Sequence, residues 1–436
     1  MTGPAAADPR LSWRVSVAGA FSAAAGLALV AAGLLFGRPD VACVGVPLVL
    51  SALGNLARRP PEQDFARVQP AVFSPETGDV AAVIDAVSAA PAAIALRVGA
   101  AGYRDARALA AVGPPGRAIR TSVATARTGP HEVLRVDRAL MLPGGALATG
   151  VLSDPPRRLL VLPAARILRE LPLPHRLQGL TGSHASRRPG DGGDLRDVAL
   201  FAPGDRLRRI DWRVTARRAG QSGGTLSDLY VRRDFATADA VVMLVVDSRD
   251  EVGPDPSTWA GWRQLRPDHA TSLDLAREAA ASLARRFLAG SDRVGLDDLG
   301  RQSRPVAPGA GPAQLRRLVH RLAVLAPEGA PRPYLRAPQI PSGSMVALFS
   351  TFLDDEAPRL AQQWRAAGHR VLAIDVLPDL LLGDLSPELT TAYRMIRLER
   401  ADRIGELRAS GVEVLRWGPS IEADLAALAR ARPVRR

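Results

Sequence analysis

Ala240-Val241-Val242-Met243-Leu244-Val245-Val246-Asp247 is the stretch on which the fold turns. Its apolar run shows no alternation and closes on an aspartate. That is the pattern of a strand buried on both faces, as in a parallel sheet covered by helices. The segments after it keep an α/β rhythm. Residues 271–289 place Leu273, Ala276, Ala280, Leu283 and Phe287 on one helical face, and 312–325 do the same with Leu315, Leu318, Val319, Leu322 and Leu325. Residues 292–296, 345–350, 371–376 and 412–417 read as further strands, 387–410 and 420–430 as further helices. Strands alternating with helices predict a doubly wound, Rossmann-like α/β domain over residues 239–436. Ligands of such sheets sit at the carboxyl ends of the strands.

Upstream the rhythm changes. Between residues 61 and 178, short apolar stretches (93–98, 132–136, 159–162) are broken by Gly and Pro, which predicts a small β-sandwich-like domain. An Ala-rich patch at 105–112 is helix-like and cuts across that pattern. Residues 60–64 read as a linker, and 179–194, rich in Gly, Ser, Arg and Asp, as a flexible loop opening a connecting segment, 179–238.

The first 60 residues differ from all the rest. Residues 15–36 carry no charge and would span roughly 33 Å as a helix. Residues 37–40 read as a turn, and 41–57 as a second apolar run of roughly 25 Å. Gly19, Ala23 and Gly26, with Gly45 and Ala52, are small enough to let two helices approach closely. Arg10 and Arg14 precede the pair; Arg58, Arg59 and Arg67 follow it. The positive-inside rule then predicts a two-helix transmembrane hairpin with both termini cytoplasmic. A cleaved signal peptide and a buried soluble hairpin are the competing readings; a second apolar run directly after the first argues against cleavage.

The formal charge of +13 comes entirely from arginine, for the chain has no lysine. Abundant Ala and Arg mark a GC-rich coding sequence. The arginines are scattered and no nucleic-acid motif accompanies them, so a nucleic-acid partner is not expected; an anionic lipid surface fits better. Cys43 is the single cysteine, which excludes an intramolecular disulfide and reads as a small buried hydrophobe.

One motif stands out: Gly204-Asp205-Arg206-Leu207-Arg208-Arg209-Ile210-Asp211-Trp212-Arg213-Val214-Thr215-Ala216-Arg217. Gly204-Asp205 suits a tight turn. Asp205 and Asp211 can take bidentate pairs from Arg208, Arg209, Arg213 and Arg217 around a buried Ile210 and Trp212. The structural reading is an ion-paired clasp; the functional one is a docking surface for a partner. The stretch resembles the signature of the bacterial family catalogued as domain of unknown function 58, closely from Leu159 onward and in outline over the hairpin. That resemblance implies a membrane-anchored protein with a von Willebrand factor A-like (vWA-like) domain. It also implies a MoxR-type AAA+ ATPase as partner, in complex assembly or envelope-related processes.

The vWA-like resemblance implies a magnesium site as well, with Asp-x-Ser-x-Ser on the first loop, a Thr on a second and an Asp on a third. Here the first loop is Asp247-Ser248-Arg249-Asp250-Glu251, with Arg249 and Glu251 at the two Ser positions. Residues 307–312, taken as the second loop, offer no hydroxyl. In Ser350-Thr351-Phe352-Leu353-Asp354-Asp355, Thr351 stands where the ligand Asp would be. No magnesium or other cofactor is therefore expected, and Arg249 is expected to pair with Asp247.

Other chemistry is weaker. Gly220-Gln221-Ser222-Gly223-Gly224 matches a nucleophile-elbow pattern but lacks the strand-turn-helix context it needs. His131, His175, His184, His269, His320 and His369 have no metal-ligand spacing, and His320 reads as packed beside a helix stripe. No catalytic residue is assigned. The expected function is a membrane-anchored cytoplasmic interaction or adaptor protein; the alternative is a hydrolase-like enzyme with an unrecognised site. An extracellular magnesium-dependent adhesion module would need the opposite topology and an intact Ser-x-Ser.

Overall fold

The computed structural model describes residues 12–57, 65–69, 72–74, 79–100, 105–132, 134–143, 145–154, 158–175, 177, 182, 184–221, 228–261, 263–301, 304–328, 333–383 and 385–431. Arg10, Arg58, Arg59, the 60–64 linker and Ser222 to Gly224 lie outside them. The chain divides into two compact units, Met1–Val161 with Arg266–Asp268, and Leu162–Leu265 with His269–Arg436.

The first unit opens with a short strand, β1 (Trp13–Val15), followed by helices α1 (Val17–Leu35) and α2 (Pro39–Ala57). Helix α1 is long and apolar enough to cross a membrane. Ser16 caps it, its hydroxyl accepting from the Gly19 N–H. The two helices touch where side chains are absent. A Cβ on Gly45 would lie 2.6 Å from Gly26 O, and one on Gly33 would lie 2.5 Å from Ala42 N. Gly19 does not share that contact; its neighbour is the backbone of Ala146. Cys43 is exposed, not buried, because the buried side of α2 runs through Gly45.

Eleven strands follow: β2 (Phe65–Val68), β3 (Val72–Ser74), β4 (Asp79–Val87), β5 (Ala92–Gly99), β6 (Ala106–Val112), β7 (Arg117–Ala124), β8 (Gly129–Glu132), β9 (Arg135–Met141), β10 (Leu147–Thr149), β11 (Leu152–Asp154) and β12 (Arg158–Val161). One antiparallel sheet runs β1-β10-β9-β5-β6 with β11 on β9. A second runs β2-β4-β3 with β7 on β4, and β12 pairs with β8. Along β4 and β5 every second residue is buried. Those inward residues, with Trp13 and Leu140, form a single core, as in a sandwich. The Ala-rich patch expected to be helix-like is β6; pairing with β5 from Ala92↔Val112 to Val98↔Ala106 overrides alanine's helix preference. Strand β1 brings residues 13–15 into the sandwich, across the boundary drawn at residue 60.

The second unit begins with an extended segment that buries Leu168 in its core. A long antiparallel ribbon follows, β13 (His184–Leu200) on β14 (Tyr230–Ala238). The segment read as a loop is thus largely strand. Register shifts near Pro189 and Leu195 erase the period-2 signal that would have marked it. Helix α3 (Trp212–Gln221) sits between the two.

The α/β domain comprises β15 (Val241–Val246), α4 (Ser272–Ala289), β16 (Arg293–Asp298), β17 (Val306–Gly309), α5 (Gly311–Ala323), β18 (Met345–Ser350), α6 (Glu356–Ala366), β19 (Arg370–Asp375), α7 (Pro387–Ala409), β20 (Glu413–Arg416) and α8 (Ile421–Arg430). Strand order is β17-β16-β15-β18-β19-β20, parallel except for β17. Counted within the domain this is 3-2-1-4-5-6, a doubly wound order. Side chains of β15 alternate between two cores. Val242, Leu244 and Val246 share a core with residues of α4, α5 and α8, whereas Val245 shares one with residues of α6 and α7. Helix α6 and strand β17 had no counterpart in the sequence reading.

Candidate functional site

The carboxyl ends of β15, β16, β18 and β19 converge, as the doubly wound order requires. Asp247 follows β15 and its side chain is 2% exposed. The Arg249 guanidinium grips it with two bonds, Nε to Oδ1 at 2.7 Å and Nη2 to Oδ2 at 2.8 Å. The same guanidinium reaches Asp354, with Nη1 2.8 Å from Oδ2. Ser350 Oγ donates to Asp247 Oδ2 at 2.7 Å. The expected Arg249–Asp247 pair is present, and it extends to a second carboxylate.

The remaining positions fall around this pair. Thr351 is buried, but its hydroxyl points to Asp250, 3.4 Å away, and not to Asp247. Its carbonyl accepts from Arg400 Nε at 2.7 Å, while Arg400 also pairs with Asp375 at the end of β19. Glu251 accepts from Thr271 Oγ1 at 2.6 Å; Thr271 caps α4 through a capping box with Asp274. Phe352 adopts φ +54 while fully buried, a strained conformation in which its N–H donates to Ser350 Oγ at 3.2 Å. The segment 307–312 is not at this edge. Strand β17 runs antiparallel, pairing Gly309 with Val294 near the start of β16. The place expected for it is taken by Asp297 and Asp298, which the sequence reading missed although Leu296-Asp297-Asp298 closes an apolar strand. Ser248 Oγ donates to Asp298, which also accepts from the Gly300 N–H.

The electrostatics follow from burial. Desolvation, then the charges of Asp247 and Asp354, push Asp250 up to about 7. Burial raises Asp297 and Asp298 as well, and raises Tyr334 to about 12 with those carboxylates adding to the effect. For Arg249, burial opposes the charge, but its bonds to Asp247 and the charges of Asp247 and Asp354 outweigh that and hold it above its ordinary value. Arg249 puts a fixed positive charge against Asp247 and Asp354, the carboxylates a cation would need. The residues therefore do not fit magnesium.

The signature forms a second site. Gly204 takes φ +99 in the turn. Asp205 pairs with Arg233 on β14 at 3.0 Å and accepts from the Ala202 N–H. Those contacts hold its carboxyl below the usual range, the Arg233 bond first. Asp211 opens α3, accepting from the Val214 N–H at 3.0 Å. Among the described contacts, Asp205 and Asp211 are held by Arg233 and by backbone N–H groups, where pairs with the signature's own arginines were expected. Arg209 lies 3.3 Å from Gly190 O and 3.9 Å from Asp234. Ile210 is buried and bridges to Val231. Trp212, expected in the core, is 63% exposed, and Leu207 is 70% exposed. Asp211 starts the helix at that residue, and its first turn faces outward. Arg208, Arg213 and Arg217 are exposed. In place of the expected ion pairs within the signature, Asp205 is fastened to Arg233 of β14 and Asp211 to the backbone of α3, and Trp212, Arg208, Arg213 and Arg217 are exposed.

Among the histidines, His184 meets Asp292 at 2.9 Å and His369 meets Ser344 O at 2.9 Å. His320 is exposed on α5, not packed. Gly220 and Gln221 end α3.

Comparison with known proteins bears out the resemblance. Residues 197–380 match the family described as "Protein of unknown function DUF58". An uncharacterized protein of Mycobacterium tuberculosis, Rv1480, is 29% identical over 246 residues, covering 53% of this chain and 68% of the relative. An uncharacterized protein of Mycobacterium bovis, Mb1516, is similar to the same degree. No solved structure matches the chain.

Proposed function

We propose, taking the DUF58 match over residues 197–380 as premise, that this protein is a membrane-anchored interaction protein. In this reading α1 crosses the membrane and α2 returns. The rest of the chain, with both termini, lies in the cytoplasm. Its C-terminal domain is vWA-like, binds another protein, and works without a metal or a catalytic residue. The partner implied by the family resemblance is a MoxR-type AAA+ ATPase, in complex assembly or an envelope-related process.

Several observations support it. The 3-2-1-4-5-6 order and the Asp247 loop suit a vWA-like domain. Arg249 in the carboxylate cluster suits metal-independent binding. Strand β1, before α1, pairs in the same sheet as strands that follow α2. A chain that leaves that sheet through one span has to come back through another. The observation that carries the partner is the exposure of Trp212. An exposed Trp within a few residues in sequence of exposed Leu207, Arg208, Arg213 and Arg217 is costly to leave in water, and Trp and Arg are typical of interface hot spots.

The test is co-purification of the tagged full-length protein from its native membranes in mild detergent. Wild type is expected to bring down an AAA+ ATPase. Trp212→Ala and Arg213→Glu, at exposed positions, are expected to lose it with unchanged thermal melting. Recovery of the wild-type protein alone, where other membrane complexes survive, sinks the stable-adaptor reading.

A further inference from the structure

We infer that one end of the β-sandwich rests in the headgroup layer of a lipid bilayer, so that the domain is docked on the membrane as well as tethered to it. The inference rests on reading α1 as a membrane span.

The strand register defines the end in question. Val15 pairs with Leu147, Ala148 with Met141, and Ala93 with Met141. Ala92 pairs with Val112, Phe65 with Val87, and Ala86 with Arg117. Together these bring the start of α1 and the connections 88–91, 113–116 and 142–146 to one end. Connections 88–91 and 113–116 each pass from one sheet to the other, so both sheets share it.

These three connections carry no charged residue. They read Ser-Ala-Ala-Pro, Gly-Pro-Pro-Gly and Leu-Pro-Gly-Gly-Ala. At the opposite end stand Asp79, Asp105, Arg135 and Asp154, near the partners Ala124, Val98, Gly99 and Val136.

Helix length then fixes the depth. The 19 residues of α1 rise about 28 Å, and a hydrocarbon core is about 30 Å thick. No residue is left over as a spacer. The helix begins one residue after Ser16, whose N–H donates to Ala146 O at 2.9 Å and whose hydroxyl donates to Gly145 O. A Cβ on Gly19 would lie 2.3 Å from Ala146 O. The first turn of α1 therefore lies against the 142–146 connection. A span that needs all its residues starts at the hydrocarbon boundary and holds that connection, with its two neighbours, at the headgroups. They go no deeper, because their backbone groups need water or headgroup partners. Exposed Arg14 and Arg117 border these connections, at the level of lipid phosphates.

The test uses the full chain with Cys43→Ser in vesicles of phosphatidylethanolamine and phosphatidylglycerol. Single cysteines carry a polarity-sensitive fluorophore. Pro91→Cys, Pro114→Cys and Pro143→Cys probe these three connections, Asp105→Cys and Ser153→Cys the far end, and Leu27→Cys the middle of α1. Lipid bearing a headgroup nitroxide is expected to quench the first three at least twofold and leave the far end unchanged. Deep-chain nitroxide is expected to quench Leu27→Cys. Quenching at Leu27 alone overturns docking and keeps the anchor. Equal quenching at both ends also overturns it, since the domain would then lie flat. No quenching at any position overturns both readings.

Discussion

The guanidinium of Arg249 decides what Asp247 depends on. With Arg249 removed, a carboxylate only 2% exposed keeps Ser350 and loses its counter-ion. Removing one partner of a buried pair costs about 3–5 kcal/mol. Arg249→Ala is therefore expected to lower the unfolding free energy of the α/β domain by about that much. Arg249→Lys should recover only part, since an ammonium cannot make the two-pronged contact. Urea titration followed by tryptophan fluorescence checks both, and a loss under about 1 kcal/mol would refute the counter-ion role. Asp250 gives a pH dependence. Its folded pKa of about 7 lies above its ordinary value. The stability it contributes is thus complete below about pH 4 and fades as pH rises through 7. Asp250→Asn should flatten that fall and make the protein more stable than wild type at pH 8; an unchanged pH profile would count against it. The Arg249–Asp247 pair was legible because both residues lie in one short loop. Asp298, Ser350 and Asp354 were not legible as neighbours, since only the strand order brings their loops together. Trp212 was misjudged because its neighbours gave no sign that Asp211 would begin a helix there.

Among the elements, the α1–α2 contact is the one where a single atom decides. Gly45→Val and Gly26→Val would drive a methine carbon into backbone at 2.6 Å and into Leu48 Cβ at 2.9 Å. Both are expected to separate the helices and lower the melting temperature in detergent by several degrees. Gly54→Val meets nothing within 4 Å and should melt like wild type. Equal melting of all three would mean that the helices do not pack through Gly26 and Gly45. The apolar runs announced these helices plainly, as long unbroken patterns do. The ribbon β13–β14 was hidden for the opposite reason: its register shifts remove the alternation by which strands are recognised. Helix α4 shows how a cap can be as informative as a stripe. Thr271 and Asp274 bond reciprocally at its start, and Thr271→Ala should cost about 1 kcal/mol, measurable in the same urea titration.

At the scale of the molecule, the division at residue 161 carries its own prediction. Every residue of the two α/β cores comes from the second unit, and every residue of the sandwich core from the first. Residues 162–436 expressed alone should therefore fold, with a cooperative melt and the same loss on Arg249→Ala; an uncooperative melt would show that the boundary is wrong. The sandwich cannot be cut so simply. Trp13 is 2% exposed in its core, so a version lacking residues 1–57 should melt lower than one that keeps residues 12–16 joined to residue 65 by a short linker. Domain classes were readable from period and composition; the reach of β1 across two helices was not, because three residues hold no period. That reach also orders events in time. Trp13, Arg14 and Val15 are synthesised before their partners, Leu147 to Thr149, which follow on the order of ten seconds later at ordinary synthesis rates. Strand β1 thus waits for β10 before it can be seated, and the helices that separate the two are complete before the sheet can close.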